Sequence, residues 1–426
     1  MRIAVAGLGT VGAGVLRLLR SNADLIAGRC GRRMEVVAVS ARDRHTTRPV
    51  DVSALRWFDD PLAMAADPGI DVVLELIGGA DGIAKQTVER AIAAGHHVVT
   101  ANKALLAHHG GALARAAEDA GVTLGYEAAV AGGIPVIKTL RQGLAGNAIA
   151  RVYGILNGTC NYILSAMRES GREFADVLAE AQRLGYAEAD PAFDIDGTDA
   201  AHKLAILTAL AFGCEVDFEA VHVEGIRDIS ALDIVYAEEL GFRIKLLGIA
   251  SREDGGIAQR VHPCMVPRHA PIANVEGVFN AIVADGDFAG TIVIEGQGAG
   301  AGPTASAVVS DLVDIARAIT IPTFAVPARA LARRPAVPME RHAGCHYIRL
   351  MVVDRPGVIA DVAAILRDRG ISMEAMLQRA RAPGEAVPVV ITTHETTGAA
   401  MDAALLQVAQ LGSVLEAPRR IRIEAL

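Results

Sequence analysis

Cysteines, long apolar runs and clustered positive charges are all scarce in this sequence, and each scarcity excludes a class of protein. The five cysteines among 426 residues lie far apart, without any CxxC spacing. An odd, scattered set of this kind indicates a protein of the reducing cytoplasm rather than a disulfide framework. Apolar stretches fall short of the roughly 20 residues that a membrane span needs. The N-terminus enters a strand pattern directly, unlike a signal peptide.

Positive charge is too sparse for a nucleic-acid partner. The formal net charge is -8, whereas binding to phosphates requires a basic face. A composition of 52% hydrophobic and 21% charged residues is typical of a globular protein. Because 426 residues exceed one ordinary core, we expect two or three domains. We also expect a small-molecule substrate, no nucleic acid and no membrane.

The first 130 residues alternate short apolar strands with helical segments. We predict strands over 1–6, 34–40, 71–79, 96–103 and 122–130. Alternation at this spacing predicts a parallel sheet with helices on both faces. The fold class is therefore α/β, with a first domain over 1–130.

From residue 131 the pattern becomes a mixture of helices and strands, which predicts an α+β domain over 131–300 with a mostly antiparallel sheet. The predicted helices are 133–144, 161–170, 174–184 and 199–212. The predicted strands are 151–157, 242–251, 257–266, 280–286 and 290–296. A long helix over 303–319, which Pro303 is placed to start, completes the first domain at about 300–320.

The last part of the chain divides into a linker and a small domain. Residues 321–344 hold four prolines and few helix or strand signals, which indicates a linker. Residues 345–426 show strand, turn, amphipathic helix and strand, which predicts a small, separate α/β sandwich.

A glycine-rich turn, GLGTVG, follows the first strand and opens a helix. Gly7, Gly9 and Gly12 form the pattern G-x-G-x-x-G, with Thr10 and Val11 in the same turn. Such glycines permit a tight turn and let the backbone approach a pyrophosphate, whose charge the helix N-terminus favours. The pattern is weak alone, but its place in a strand–helix–strand unit predicts dinucleotide binding.

The end of the second strand bears on the choice between NAD and NADP. An acid there usually holds the ribose 2′-hydroxyl of NAD, but this sequence has Ser40 and Ala41, followed by Arg42 and Arg44. Small residues followed by arginine suit a 2′-phosphate, so NADP(H) is favoured and NAD(H) stays open. Asp43 speaks against NADP, and a solvated charged loop is the alternative.

The stretch AEADPAFDIDGTDAAHK (187–203) gathers five carboxylates before a lysine. A calcium loop needs acids at positions one, three and five, glycine at six and glutamate at twelve. With Gly197 at position six, position one is Ala192 and position twelve is Lys203, so the calcium interpretation fails.

Two lysines are candidates for chemistry. Asp199 and Lys203 share one face of a predicted helix, and the apolar LAILTALAF that follows indicates that this helix is buried. A surface ion pair is the alternative. Lys103 follows the fourth predicted strand, where an open parallel sheet binds its ligands, although a lysine at a helix start can also face water. Asp190 and Asp194 can equally be turn and capping residues.

Two further turns carry polar or glycine-rich sequence. Asn157 and Thr159 offer contacts to a small ligand or cap the following helix. Cys160 is a candidate thioester-forming nucleophile, but it lacks a nearby histidine in sequence and is not favoured. The segment GAGAGPTASAV (298–308) either covers the cofactor, which we favour, or is a hinge.

The chain resembles the homoserine dehydrogenase family over essentially its whole length. Besides the residues from Ala181 to Lys203, the resemblance rests on GLGTVG, TANK, YEAAVAGGIP, LNGTCNYIL and GAGAGPTASAV, in order. It implies a reversible NAD(P)H-dependent reduction of L-aspartate 4-semialdehyde to L-homoserine, in threonine, methionine and isoleucine biosynthesis. Cys160 stands where many relatives have threonine.

The resemblance and the motifs together assign roles to residues. Lys203 is expected to donate and accept the proton, with Asp199 and Lys103 beside it. The expected substrate-binding residues are Glu188, Asp199, Lys103, Asn157 and Thr159. The expected cofactor-binding residues are Gly7, Gly9, Thr10, Val11, Gly12, Arg42, Gly78, Thr100, Lys103, Gly185 and Gly300. The resemblance also implies a sodium ion held by the side chain of Glu127 and the carbonyls of Val130, Gly132 and Ile134.

Further expectations follow from the same resemblance. The segment from His346, with its signature DRPGVIADVAAIL, resembles an ACT domain, a ferredoxin-like module that can bind threonine and inhibit. The middle domain is expected to bind substrate and to form a homodimer or homotetramer. For alcohol oxidation Lys203 must be neutral, so its pKa should lie below the usual ~10.4. Burial or Lys103 would lower that pKa, while Asp199 would raise it.

Overall fold

The computed structural model describes residues 1–379 and 382–426, and its first part is a six-stranded parallel sheet between two layers of helices. The elements are β1 (Arg2–Ala6), α1 (Thr10–Ser21), α2 (Ala23–Cys30), β2 (Glu35–Ser40), β3 (Arg56–Phe58), α3 (Pro61–Ala65), β4 (Val72–Glu75), α4 (Ile83–Ala93), β5 (His97–Thr100), α5 (Lys103–Asp119) and β6 (Leu124–Gly125). The strand order β3-β2-β1-β4-β5-β6 is that of the Rossmann fold. The predicted parallel-sheet fold is confirmed.

Two details of this sheet differ from the sequence-based expectation. The short β3 was not predicted, because three residues carry no periodic signal. The strand predicted over 122–130 ends at Gly125 and gives way to a 3-10 helix at Glu127–Ala129. The chain turns there because the backbone N–H of Glu127 donates to Asp311 at 2.8 Å instead of to a neighbouring strand.

The middle of the chain folds into helices against an antiparallel sheet. Its elements are α6 (Val136–Lys138), β7 (Ile149–Ile155), α7 (Gly158–Ser170), α8 (Phe174–Arg183), α9 (Ala192–Ile195), α10 (Thr198–Phe212), β8 (His222–Val223), α11 (Ala231–Glu239), β9 (Phe242–Glu253), β10 (Gly256–Pro267), β11 (Phe279–Gly286), β12 (Gly290–Gln297) and α12 (Ala301–Ala316). Strands run in the order β12-β11-β7-β9-β10. The expected mostly antiparallel sheet is confirmed, whereas α11 was not predicted.

Two predicted helices differ in their bounds. The helix expected over 133–144 is the short α6 followed by a π-helical turn at Thr139–Gly143. The helix expected to start at Pro303 begins at Ala301, with Gly300 as its N-cap. A Cβ on Gly14 of α1 would lie 2.5 Å from the carbonyl oxygen of Ala301. The glycine therefore lets α12 pack closely on α1.

Apart from one additional two-residue strand, the C-terminal part has the βαββαβ order of a ferredoxin-like module. Its elements are β13 (Ala343–Val353), α13 (Val358–Asp368), β14 (Met373–Leu377), β15 (Ala386–Thr393), β16 (Thr396–Thr397), α14 (Gly398–Val408) and β17 (Arg419–Ile423). The sheet order is β17-β13-β15-β14, and β17 also pairs in parallel with β10. One sheet of eleven strands therefore runs through the middle and C-terminal parts, a continuity that the sequence did not predict.

The connection over 321–344 lies against the rest of the protein. Phe324 is fully buried, with its ring 5.6 Å from that of Tyr126, and 3-10 helices occupy Ala328–Ala330 and Met339–Arg341. In the ranges 1–379 and 382–426, no helix combines the length and the apolarity that crossing a membrane requires.

Candidate active site

Helix α10 carries the candidate acid–base residues into the protein interior. The helix is buried along almost its whole length, because its apolar residues pack on the antiparallel sheet and on α5. Gly197 caps its N-terminus with a φ of +89°, and a Cβ there would meet the side chain of Val223 at 2.9 Å. Glycine is therefore required at the point where the chain enters α10.

Asp199 and Lys203 lie one helical turn apart on α10 and contact each other directly. The Lys203 ammonium donates to Asp199 Oδ2 at 2.8 Å and to the Leu156 carbonyl at 2.7 Å. Lys103 Nζ lies 2.5 Å from Asp199 Oδ1, and Asn157 Nδ2 donates to Asp199 at 2.8 Å. We call Lys103, Asn157, Asp199 and Lys203 the lysine–aspartate cluster.

The electrostatics of this cluster agree with the demands of proton transfer. Burial lowers the pKa of Lys203 below its ordinary value, and Lys103 lowers it further, while Asp199 raises it. Burial alone would raise the pKa of Asp199, but Lys203 and Lys103 together hold it well below its usual range. Asp199 is therefore an anion between two lysines, and burial lowers the pKa of one of them, Lys203.

The turn before α7 combines capping with contacts to the cluster. Asn157 Oδ1 accepts from the backbone N–H of Cys160 at 2.8 Å, so it caps α7 while its amide donates to the cluster. Thr159 donates to the Tyr186 carbonyl at 2.7 Å. Burial raises the pKa of the Cys160 thiol well above its usual value, and the thiol donates to the Asp194 carbonyl. A protonated, buried thiol argues against Cys160 as a thioester-forming nucleophile.

Residues 190–197, which we call the acidic turn, lie beside the cluster and do not form a metal cage. Asp194 accepts from Asn157 Nδ2 at 2.7 Å. Asp196 pairs with Arg227, and Asp190 accepts from the backbone of Ala192 at 3.2 Å. The carboxylates therefore diverge. Just before the turn, Glu188 is exposed and its backbone carbonyl accepts from Gln182 at 3.0 Å.

Two residues near the cluster were not singled out from the sequence. The ammonium of Lys103 lies 5.4 Å from the ring centroid of Phe193, within cation–π range. His202 is buried with its Nε2 atom 3.3 Å from that of His108, and burial, then His108, lowers its pKa to about 4. His202 is therefore neutral beside the two lysines. The contacts join distant stretches, so no local pattern could have revealed them.

The glycine loop between β1 and α1 has the geometry of a pyrophosphate site. Gly7 has a φ of +102°, and a Cβ on it would lie 2.4 Å from the Leu76 carbonyl oxygen. A Cβ on Gly12 would lie 2.1 Å from the Gly7 carbonyl oxygen, whereas Gly9 faces open space at the helix N-terminus. Thr10 is the first residue of α1. The loop thus leaves room for a phosphate where the helix favours negative charge.

Glu75 organises the neighbouring strand ends, a role that the sequence did not reveal. Its carboxylate accepts from the backbone of Ile77 at 2.8 Å and of Gly78 at 3.0 Å. Thr100, at the end of β5, donates to the other oxygen at 2.6 Å. Asn102 then caps α5 through Leu105. These bonds fix the strand ends from which Lys103 begins α5.

Other expected cofactor residues lie at chain turns or on the surface. Gly185 and Gly300 have φ values of +77° and +117°. Arg42 is exposed after β2. Arg44 and Arg48 lie over the ring of Trp57, at 5.9 and 5.4 Å from its centroid.

The expected cation ligands are all buried and belong to one short segment, 127–134. The Glu127 carboxylate accepts from the backbone of Ile137 and Lys138, at 2.9 Å each. Burial, then Asp311, raises the pKa of Glu127 to about 7. Across the described ranges, the carbonyls of Val130 and Gly132 accept no hydrogen bond, while that of Ile134 accepts from Val136 at 2.7 Å.

A Rossmann sheet with this glycine loop, beside a buried lysine whose pKa is lowered by burial, is typical of an NAD(P)-linked oxidoreductase. Family models agree: homoserine dehydrogenase matches residues 135–313, the homoserine dehydrogenase NAD-binding domain matches 7–127, and the ACT domain matches 346–410.

Similar proteins narrow the class further. The chain is 46% identical to the homoserine dehydrogenase of Pseudomonas aeruginosa over 433 residues, covering 100% of this chain and 99% of that one. For Neisseria gonorrhoeae the identity is 44% over 432 residues, with the same coverage. A solved homoserine dehydrogenase from Thiobacillus denitrificans superimposes with a TM-score of 0.93 at 47% identity, covering 100% and 98%. The chain belongs to the homoserine dehydrogenase family, oxidoreductases that act on the homoserine hydroxyl.

Proposed function

We propose that the chain reduces L-aspartate 4-semialdehyde reversibly to L-homoserine, for threonine, methionine and isoleucine biosynthesis, with Lys203 as proton donor and acceptor. The observation that carries the proposal is the contact of a buried Lys203 with Asp199, which also contacts Lys103. This arrangement holds a titratable ammonium next to a fixed anion. Such a group can stabilise and protonate an alkoxide oxygen.

The residues of the cluster divide the work of the reaction. When bound, the reduced nicotinamide supplies a hydride to the aldehyde carbon. The Lys203 ammonium donates a hydrogen bond to the aldehyde oxygen and delivers its proton as charge develops there. In the oxidation direction, neutral Lys203 accepts the hydroxyl proton. Lys103 supplies a second positive charge that keeps the Lys203 pKa low.

Substrate orientation is assigned to polar groups around the cluster. A carboxylate has about four lone-pair sites, and Asp199 uses three for Lys103, Lys203 and Asn157. We assign its remaining site and the exposed Glu188 to the substrate's ammonium group. Asn157 and Thr159 complete the substrate site, which converts binding into alignment.

For the cofactor, we propose NADP(H) ahead of NAD(H). An archaeal homoserine dehydrogenase in complex with NADPH superimposes with a TM-score of 0.63 at 26% identity, over 74% of this chain and 96% of that one. In this chain, Arg42 follows β2, where a 2′-phosphate would lie. The glycine loop, Gly78, Thr100, Lys103, Gly185 and Gly300 form the rest of the proposed cofactor site.

We further propose a sodium ion at the buried ligands of segment 127–134. The Glu127 carboxylate and the carbonyls of Val130, Gly132 and Ile134 fit a hard cation, because such cations prefer oxygen ligands. Two of these carbonyls accept no hydrogen bond in the described ranges, and a cation beside Glu127 would offset the cost of its buried charge. The ion would fix this segment without taking part in proton transfer.

Domain roles and assembly extend the proposal. We assign 1–130, completed by 300–320, to cofactor binding, 131–300 to substrate binding and dimerisation, 321–344 to a linker and 345–426 to regulation by an amino acid such as threonine. The edge hairpin β11–β12 exposes Phe279, Phe288 and Val293, which supports a homodimer or homotetramer. Five free cysteines support a cytoplasmic location.

A cofactor-oxidation assay tests the proposal. Purified protein should oxidise NADPH, and NADH less efficiently, when aspartate 4-semialdehyde is added. Absence of turnover with either cofactor would refute the assignment and favour a non-catalytic sensor. Threonine added to the same assay tests regulation. Cys160→Ala should retain turnover, because the proposed mechanism uses no thiol nucleophile. Loss of activity would instead support a phosphorylating semialdehyde dehydrogenase, which needs one.

A further inference from the structure

Three ion pairs, each with a buried arginine, join the C-terminal module to the rest of the molecule. These pairs are Arg422–Glu224, Arg260–Glu424 and Arg349–Asp233. The first differs from the others in its position, because Glu224 directly follows β8 and precedes a segment that contacts the acidic turn.

Arg422 and Glu224 form a bidentate pair. Both terminal nitrogens of the Arg422 guanidinium donate to the Glu224 carboxylate, at 2.8 Å each. The Arg422 side chain is only 3% exposed, whereas that of Glu224 is 36% exposed. A bidentate arginine–carboxylate pair fixes the relative orientation of its partners as well as their distance. The C-terminal strand β17 therefore holds the residue that follows β8.

The backbone after β8 supports the acidic turn at successive points. The N–H of Ile226 donates to the Ile195 carbonyl at 2.9 Å. Gly225 lies so close that a Cβ on it would be 2.3 Å from the same carbonyl oxygen. The side chain of Val223 occupies the space into which a Cβ on Gly197 would project. Movement of this segment would therefore displace the turn.

Hydrogen bonds from the acidic turn hold the lysine–aspartate cluster in position. Asp194 and Asp199 both accept from the amide of Asn157, at 2.7 and 2.8 Å. Cys160, which follows Asn157 in the chain, donates its thiol to the Asp194 carbonyl at 3.3 Å. These bonds connect the position of the turn to the groups around the proposed substrate.

Close packing does not hold the segment on the side of the C-terminal module. Glu224 and Gly225 border a cavity of about 350 Å³, whose opposite wall includes Arg419, Arg420 and Ile421 of β17. Because a cavity offers no contacts to its lining, the segment is held on this side by ion pairs, Arg422–Glu224 and the more exposed Arg419–Asp228. On its other side the Glu224 N–H donates to the Val261 carbonyl of β10 at 2.7 Å.

We propose that Arg422 is a positioning residue, which acts through Glu224 to hold the acidic turn in the geometry that receives the amino-acid substrate. The inference rests on the proposed function and deepens it: the C-terminal module contributes to the substrate site even without an effector. Loss of the pair should weaken substrate binding without removing any group that contacts the reacting atoms.

Three variants and one matched control test this inference. Arg422→Met, Glu224→Gln and their combination should each raise the KM for homoserine about 3- to 10-fold, with much smaller changes in kcat and in the KM for the cofactor. The double variant should resemble each single variant, because all three remove the same link. The double variant also removes both charges of the pair. It therefore remains informative if a single variant misfolds because one charge has lost its partner. Arg349→Met breaks another buried ion pair of the module, with Asp233 of α11 instead of Glu224, and should leave the KM for homoserine unchanged.

Hydrogen exchange supplies a readout that does not depend on turnover. The amide of Ile226 should exchange faster in Arg422→Met than in wild type, and not in Arg349→Met. An unchanged KM and unchanged exchange in Arg422→Met would overturn the inference, as would equal effects of Arg349→Met. If wild type itself fails to turn over homoserine, the proposed function fails, while the exchange experiment still decides whether Arg422 holds the turn.

Discussion

The Asp199 carboxylate accepts a hydrogen bond from the Lys203 ammonium at 2.8 Å, one helical turn along α10. The pair is buried on a mostly apolar helix, which distinguishes it from a surface ion pair that would contribute little to stability. The second oxygen of the Asp199 carboxylate contacts the Lys103 ammonium. One fixed anion between two cations keeps both lysines in place and lets their mutual repulsion lower the pKa of Lys203.

Replacement of Lys203 by methionine should lower kcat by about 10²- to 10⁴-fold, the usual contribution of general acid–base catalysis. Methionine keeps much of the buried volume, so cofactor binding, measured by fluorescence titration of NADPH, should not change. Lys245→Met is a matched control, because Lys245 is also buried but binds Asn161 and the Val275 carbonyl. Normal turnover in Lys203→Met, or an equal loss in the control, would contradict the assignment.

The pH dependence of homoserine oxidation should report the Lys203 pKa. Oxidation requires neutral Lys203, so kcat should rise with pH through that pKa, below the usual ~10.4, while semialdehyde reduction should fall. Asp199 raises and Lys103 lowers the pKa. The midpoint should therefore move to lower pH in Asp199→Asn and to higher pH in Lys103→Met. Shifts in the same direction would show that another group titrates.

Replacement of Arg42 by aspartate should reduce kcat/KM for NADPH by about 10- to 100-fold, the value of one or two charged hydrogen bonds. The value for NADH should change much less, because its ribose lacks the phosphate. Arg48→Asp is the comparison variant, since Arg48 lies over Trp57. If Arg48→Asp switches the preference and Arg42→Asp does not, the 2′-phosphate binds near Trp57 instead.

Sequence patterns predicted the elements that have a strong period or a glycine signature. The parallel sheet and the burial of Lys203 on α10 follow from local apolar spacing, and the glycine loop follows from its G-x-G-x-x-G pattern. The pairing of β17 with β10 could not be predicted, because its partners, such as Cys264 and Arg422, are far apart in the sequence. Glu75 was missed for a similar reason, since its partner Thr100 belongs to another strand.

Sodium should stabilise the protein increasingly as pH rises through about 7, the pKa to which burial and Asp311 raise Glu127. Below that pKa the carboxyl is neutral in the folded state. Because the unfolded carboxyl ionises near its ordinary value of 4.5, stability falls between that pH and about 7 and stays lower above it, where folding buries the charge, unless a cation offsets that charge. The Tm of wild type in sodium chloride should therefore exceed the Tm in choline chloride at pH 8, and this difference should be much smaller at pH 6.

Glu127→Gln should lose this difference between salts at pH 8, because glutamine carries no charge for the ion to offset. The dependence of activity on monovalent salt should change with it. Glu118→Gln is the matched control: Glu118 also accepts from a backbone N–H, that of Ala328 at 2.7 Å, but lies outside the proposed cation ligands. A sodium effect that persists in Glu127→Gln, or disappears equally in Glu118→Gln, would place the cation elsewhere, because only ionised Glu127 links sodium binding to a pKa of about 7.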